Sequence, residues 1–114
     1  MPYIETKTTV KVSREQEVKL KEALGRAIEL IPGKSEQWLM LNLIDGCRMA
    51  FRGTTEPDIA MVEIDIFGKA GSSEYDDLTE CVCKVVNEIL GIETDRIYVK
   101  YREVDHWGWN GGNF

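Results

Sequence analysis

The sequence predicts an α/β (α+β) fold in which two β-α-β repeats form one four-stranded mixed sheet with two helices on one face. In each half a run rich in β-branched residues precedes a helical run, which stops at a glycine before a second β-rich or apolar segment. A shift of 58 positions, carrying Gly33 onto Gly91, superposes Gly33 to Leu41 on Gly91 to Val99. The expectation is one domain over residues 1–114, with pseudo-repeats at about 2–45 and 59–104.

Tyr3 to Val12 interleaves Tyr, Ile, Val and Thr with polar residues, the composition of a strand. Ser13-Arg14-Glu15-Gln16 reads as a capping box, in which the Ser hydroxyl and the Gln side chain each satisfy a backbone N–H. Val18, Leu20, Leu24, Ala27, Ile28 and Ile31 then recur at helical spacing until Pro32-Gly33 stops the helix. Trp38 to Ile44 is almost wholly apolar, as in a strand buried on both faces, and Asp45-Gly46 turns the chain.

In the second half, Ile59 to Phe67 alternates Met61, Glu63 and Asp65 with Val62, Ile64 and Ile66. Gly68 to Ser73 forms a loop before a helix carrying Leu78, Val82, Val85, Val86 and Ile89, with Gly91 as its C-cap. Ile97 to Val104 is the last strand, Tyr98, Lys100 and Arg102 sharing one of its sides. Right-handed crossovers place both helices on one face. The tail from Asp105 to Phe114 is too short to cover the other, so that face is expected to pack against other subunits.

Fourteen Lys and Arg against 20 Asp and Glu give a net charge of -6, without a basic cluster, which argues against nucleic acid and anionic membranes as partners. Three cysteines, Cys47, Cys81 and Cys83, match no disulfide framework or zinc-ribbon spacing and suit a reducing compartment. The N-terminus has neither a cationic leader nor an apolar core segment. A cytoplasmic protein is expected, with any secretion following a route that uses no signal peptide.

One histidine, His106, rules out a metal site built on two or more histidines, and no metal or cofactor is expected. Gly68-Lys69-Ala70-Gly71-Ser72 lacks the spacing of a phosphate loop. Cys81 and Cys83 point about 200° apart on a helix and cannot clasp one ion. There remains Pro2. Removal of Met1 would expose a secondary amine on a rigid ring, and an amine made neutral by desolvation or a nearby cation is a general base.

Pro2, the two repeats, Lys34, the segment Phe51-Arg52-Gly53-Thr54-Thr55-Glu56-Pro57, Asp95-Arg96-Ile97-Tyr98-Val99, and the ending Trp107-Gly108-Trp109-Asn110-Gly111-Gly112-Asn113-Phe114 together resemble the macrophage migration inhibitory factor family, a branch of the tautomerase superfamily. The resemblance implies a barrel-like homotrimer with sites between subunits, and cofactor-independent keto-enol tautomerisation of 2-oxo acids such as phenylpyruvate. Pro2 matches the acid/base, Lys34 the lysine that holds substrate oxygen atoms, and Phe67 the residue whose backbone N–H contacts the substrate carboxylate. Tyr98 matches a tyrosine reaching in from the neighbouring subunit, while Trp109 and Phe114 match aromatic walls.

Trp38 stands where the family commonly has Tyr, and Trp107 where it has a smaller aliphatic residue, so a narrower, more aromatic pocket is expected. Lys100 replaces an Asn of the vertebrate members, adding a cation for a second carboxylate or for lowering the Pro2 pKa. The Cys-x-x-Cys pair of some members is replaced by Glu56-Pro57-Asp58-Ile59, so no thiol-disulfide activity is expected. The alternative the family offers is a cytokine-like ligand of a cell-surface receptor, with a vestigial site.

Overall fold

The computed structural model describes residues 1–114. Strand β1 (Pro2–Thr8) buries Pro2, Ile4, Thr6 and Thr8 on one face and leaves Tyr3, Glu5 and Lys7 half-buried on the other. It is shorter than the β-rich run to Val12, because Val10 and Val12 leave the ladder. Val10 takes the N–H of Gly46 on its carbonyl, and the Val12 N–H donates to Asp45 Oδ2 at 2.9 Å. Helix α1 (Arg14–Ala27) starts on the complete Ser13–Gln16 capping box, with bonds of 3.1 and 2.9 Å, an arrangement that contributes about 1 kcal/mol. Leu20, Leu24 and Ala27 face the core, whereas Val18 lies on the solvent side, contrary to the apolar-face expectation. The helix tightens into a 3₁₀ turn at Ile28–Leu30 before Pro32.

Strand β2 (Met40–Ile44) begins two residues later than expected, since Trp38 closes a 3₁₀ turn over Glu36–Trp38. It is also an edge strand. Leu41 and Leu43 pack toward the core while Met40, Asn42 and Ile44 are exposed, so the expectation of burial on both faces fails within one chain. β3 (Ala60–Phe67) alternates buried and half-buried residues throughout. α2 (Ser72–Leu90) begins inside the stretch expected to be loop and ends at Gly91, whose left-handed φ of 73° suits a residue without a Cβ. β4 (Ile97–Val104) follows. The tail adds a small hairpin, β5 (Gly108–Trp109) with β6 (Gly112–Asn113), turning through Asn110 and Gly111 at φ of 51° and 87°.

The sheet runs β2-β1-β3-β4, with β1 parallel to β2, β3 parallel to β4 and the two repeats joined antiparallel through β1 and β3. Both helices cover one face of this mixed sheet. Ile4, Val62, Ile64 and Ile66 from the strands meet Leu20, Leu24, Ile28, Leu78, Val82 and Val86 from the helical side in one core. The opposite face, which the tail leaves uncovered, is largely charged. Glu63 takes Lys100 at 2.7 Å, Lys7 at 3.5 Å and Arg102 at 3.6 Å, and Lys7 also reaches Glu5 at 3.1 Å. Charged residues therefore occupy its centre, with Met40, Ile44 and Tyr98 exposed on its outer strands. No helix is long and apolar enough to cross a membrane.

Candidate active site

The N-terminal end of β1 opens into a cavity of about 720 Å³ lined by Met1, Pro2, Tyr3, Trp38, Asp65 and Trp107, among others. Its walls are built by three separate elements. The 3₁₀ turn brings Trp38, the tail brings Trp107 and Trp109, and the β1–β3 pairing places Asp65 directly opposite Tyr3. Trp38 and Trp109 meet edge to face with centroids 5.0 Å apart, a favoured aromatic geometry. Phe114 continues the wall, 5.8 Å from Phe67 and 6.3 Å from Trp109.

Two backbone groups of Phe67 organise the charged end. Its carbonyl accepts the Lys34 ammonium at 2.8 Å, and its N–H donates to the Met1 carbonyl at 2.9 Å. The α-amino group of Met1, one residue before Pro2, lies beside Lys34. Burial first, and then the Lys34 cation, push this amine down to about 6, because both penalise its protonated form. The Met1 amine therefore favours its unprotonated form near neutral pH, next to the Lys34–Phe67 hydrogen bond.

Pro2, Lys34, Phe67, Trp38, Trp107, Trp109 and Phe114 thus gather at one end of the sheet. Tyr98 and Lys100 do not join them within the chain. Tyr98 lines a different cavity and packs edge to face on Phe51 at 5.0 Å, and Lys100 is held by Glu63 on the open face. Cys81 and Cys83 are unpaired and pack against the core, where burial pushes the Cys83 thiol up. Tyr3, Gln37 and Asp65 are lining residues that the sequence did not single out. For Tyr3 and Asp65 the signal is the β1–β3 register, which the alternation within either strand does not specify, and Gln37 enters with the 3₁₀ turn that carries Trp38.

Two β-α-β units sharing a mixed sheet, with the N-terminal strand opening on a Trp-walled cavity and Lys34 held on the Phe67 carbonyl near the terminal amine, define the tautomerase-like class of folds. Comparison with known proteins places the chain within that class. A family model described as "Macrophage migration inhibitory factor (MIF)" matches residues 1–114, and the chain belongs to that family. It is similar to the macrophage migration inhibitory factor of Rattus norvegicus, 28% identical over 116 residues that cover 100% of this chain and 99% of the relative. Among solved structures, Leishmania major MIF2 superposes with a TM-score of 0.92 at 30% identity, covering 100% of this chain and 97% of that one. The homologue from Prochlorococcus marinus gives 0.88 at 33% identity, covering 98% of each chain.

Proposed function

We propose that the protein is a cofactor-independent keto-enol tautomerase of small aromatic 2-oxo acids such as phenylpyruvate, with Pro2 as general acid/base once Met1 is removed. The observation that carries this reading is the Lys34 ammonium fixed on the Phe67 carbonyl at the N-terminal end of β1, where burial and that cation lower the Met1 amine and would act in the same direction on the Pro2 amine once Met1 is removed. Family membership supports a tautomerase or MIF-like function in general terms.

In the mechanism, the neutral Pro2 amine takes a proton from C3 of the ketone. The C–H pair becomes the C2=C3 double bond and the carbonyl π pair moves onto oxygen, where Lys34 stabilises the developing charge. The Phe67 N–H, freed when the Met1 carbonyl leaves with its residue, takes a carboxylate oxygen. Return of the proton from Pro2 to oxygen completes the enol, and the reverse sequence ketonises it. Trp38, Trp107, Trp109 and Phe114 pack the aryl ring. The working unit is a homotrimer, in which Tyr98 and Lys100 reach a neighbouring subunit's site.

Phenylpyruvate ketonisation by Pro2→Gly, on protein whose intact mass shows Met1 removed, tests the proposal. A loss of about 10²–10³ in kcat/KM is expected. Undiminished turnover overturns the assignment of Pro2.

A further inference from the structure

The ion pairs of the open sheet face join three cations to three carboxylates, and the sharing is uneven. Lys7 lies 3.1 Å from Glu5 and 3.5 Å from Glu63, so it bridges two like charges that stand directly opposite each other on β1 and β3. Arg102 divides itself between Glu63 at 3.6 Å and Asp65 at 3.9 Å. Lys100 has Glu63 alone, at 2.7 Å, and the β3–β4 register sets the two residues side by side. Without the Glu63 carboxylate, Lys7 and Arg102 would each keep a partner and Lys100 would have none. The Glu63 side chain is 20% exposed and that of Lys100 is 50% exposed, so the carboxylate is the fixed half of the pair and the ammonium the half that reaches outward. Lys100 is also the first cause that holds the Glu63 carboxyl below its ordinary value, which keeps the pair fully ionised at neutral pH.

We infer that Glu63 is a positioning residue for the site across the subunit boundary: it holds Lys100 and cancels its charge, so that the neighbouring subunit's cavity meets the ammonium as a hydrogen-bond donor and not as a free cation. The inference rests on the proposed reading, in which Lys100 completes a neighbour's site. Glu63 and Lys100 belong to one chain and sit on adjacent paired strands, so the two reach that site together. An ammonium has three N–H donors, and the bond to Glu63 leaves others for a ligand oxygen. A ligand hydroxyl or carbonyl facing Lys100 therefore finds a donor. A second ligand carboxylate gains little, since the pull of the ammonium is offset by the repulsion of the Glu63 carboxylate directly behind it. The same offset mutes any lowering of the Pro2 pKa by Lys100. Tied to Glu63, the lysine presents what the neutral Asn of the vertebrate members presents, an N–H without a net charge.

Binding can be followed without catalysis, because all three tryptophans of the chain line the large cavity and report its occupancy by fluorescence quenching. Phenylpyruvate and its 4-carboxy derivative are titrated into the Met1-processed full chain, into Glu63→Gln and Glu63→Asp, and into the double variant Glu63→Gln with Lys100→Gln. Glu63→Gln is expected to bind the 4-carboxy compound at least about fivefold more tightly than wild type, while phenylpyruvate affinity changes less than about twofold. Glu63→Asp, which keeps the charge, should stay within about twofold of wild type for both compounds, and the double variant should lose the gain. A ratio of the two affinities unchanged by Glu63→Gln overturns the inference, and normal phenylpyruvate turnover in the same protein then leaves the tautomerase reading standing. Glu63→Asp behaving as Glu63→Gln does also overturns it, since the carboxylate charge would not be what matters. So does a gain that survives in the double variant, since the unmasked cation would be Lys7 or Arg102. Quenching by neither compound overturns the reading of the cavity and the inference with it. The expected pattern without turnover of phenylpyruvate upholds Glu63 and sinks the tautomerase reading instead.

Discussion

Shifted by 58 positions, five residues that line the large cavity, Met1, Pro2, Tyr3, Trp38 and Met40, fall on Ile59, Ala60, Met61, Arg96 and Tyr98, which line a second cavity of about 200 Å³. The repeat has made the same hollow twice. Each is closed by the segment that leaves the other half. The tail after β4 brings Trp107 and Trp109 over the first, and the stretch after β2 brings Met49, Ala50 and Phe51 over the second. Their chemistry diverges at equivalent positions. Lys34 reaches a carbonyl beside a terminal amine, whereas its counterpart Ile92 is buried in the core. Trp38 is an open wall, whereas its counterpart Arg96 is buried, donating to the carbonyls of Pro57 at 2.8 Å, Thr54 at 3.3 Å and Phe51 at 3.5 Å. Its guanidinium also lies over the Phe51 ring, 5.5 Å from the centroid. One hollow was left as a site with a cation and an amine, and the other was spent on holding a loop.

The difference is sharpest if the first hollow is made to resemble the second. Lys34→Ile should lower kcat/KM for phenylpyruvate by about 10², the scale of losing one charged oxyanion donor. It should also move the acidic limb of the pH profile upward. The Lys34 cation disfavours protonation of the Met1 amine and, under the proposed mechanism, of the Pro2 amine that replaces it, so its removal raises that pKa and a higher pH is needed to free the base. An unmoved limb would show that Lys34 does not tune the amine. In the second hollow, Arg96→Ala should cost about 2–4 kcal/mol of stability in urea unfolding, because three carbonyls of the 51–57 segment lose a charged donor. Phenylpyruvate turnover per folded molecule should fall far less than for Lys34→Ile. Equal losses would erase the distinction between a chemical and a structural hollow.

The smallest effect is expected between the two cavities. Lys100 first, and then Lys7, hold the Glu63 carboxyl below its ordinary value. A depressed carboxyl contributes stability above its unfolded pKa and loses it as pH falls through the folded one. Glu63→Gln should therefore cost less than about 1 kcal/mol near pH 7. The gap to wild type should close in acid, as chemical unfolding at several pH values would show.

Much of the scaffold was legible because its signals are local. The Ser13–Gln16 cap, the Pro32-Gly33 stop, the left-handed Gly91 and the alternation in β3 each act through a few neighbouring residues. Pairing is not local. An apolar run such as Leu39 to Ile44 reads alike whether a strand is sandwiched or lies at an edge with Met40 exposed, and only the sheet order decides. The charged centre of the open face was equally hidden, since alternation puts Glu63 and Lys100 on their strands' outer sides without saying that they meet. Pro2 was singled out by elimination, and Lys34 and the tail aromatics through family resemblance; the fold gathers them at one end of the sheet. Asp65 and the Arg96 clamp escaped because each depends on what lies across from it.

The contact between the Phe67 N–H and the Met1 carbonyl gives the first residue a double role. Under the proposed mechanism the newly made chain is its own proenzyme, with a pro-segment one residue long. A single peptide cleavage both unmasks the base and vacates the anchor for the ligand carboxylate. Processing by an aminopeptidase, not folding, would then set the moment at which each molecule becomes competent, and a preparation's specific activity would track its processed fraction in direct proportion.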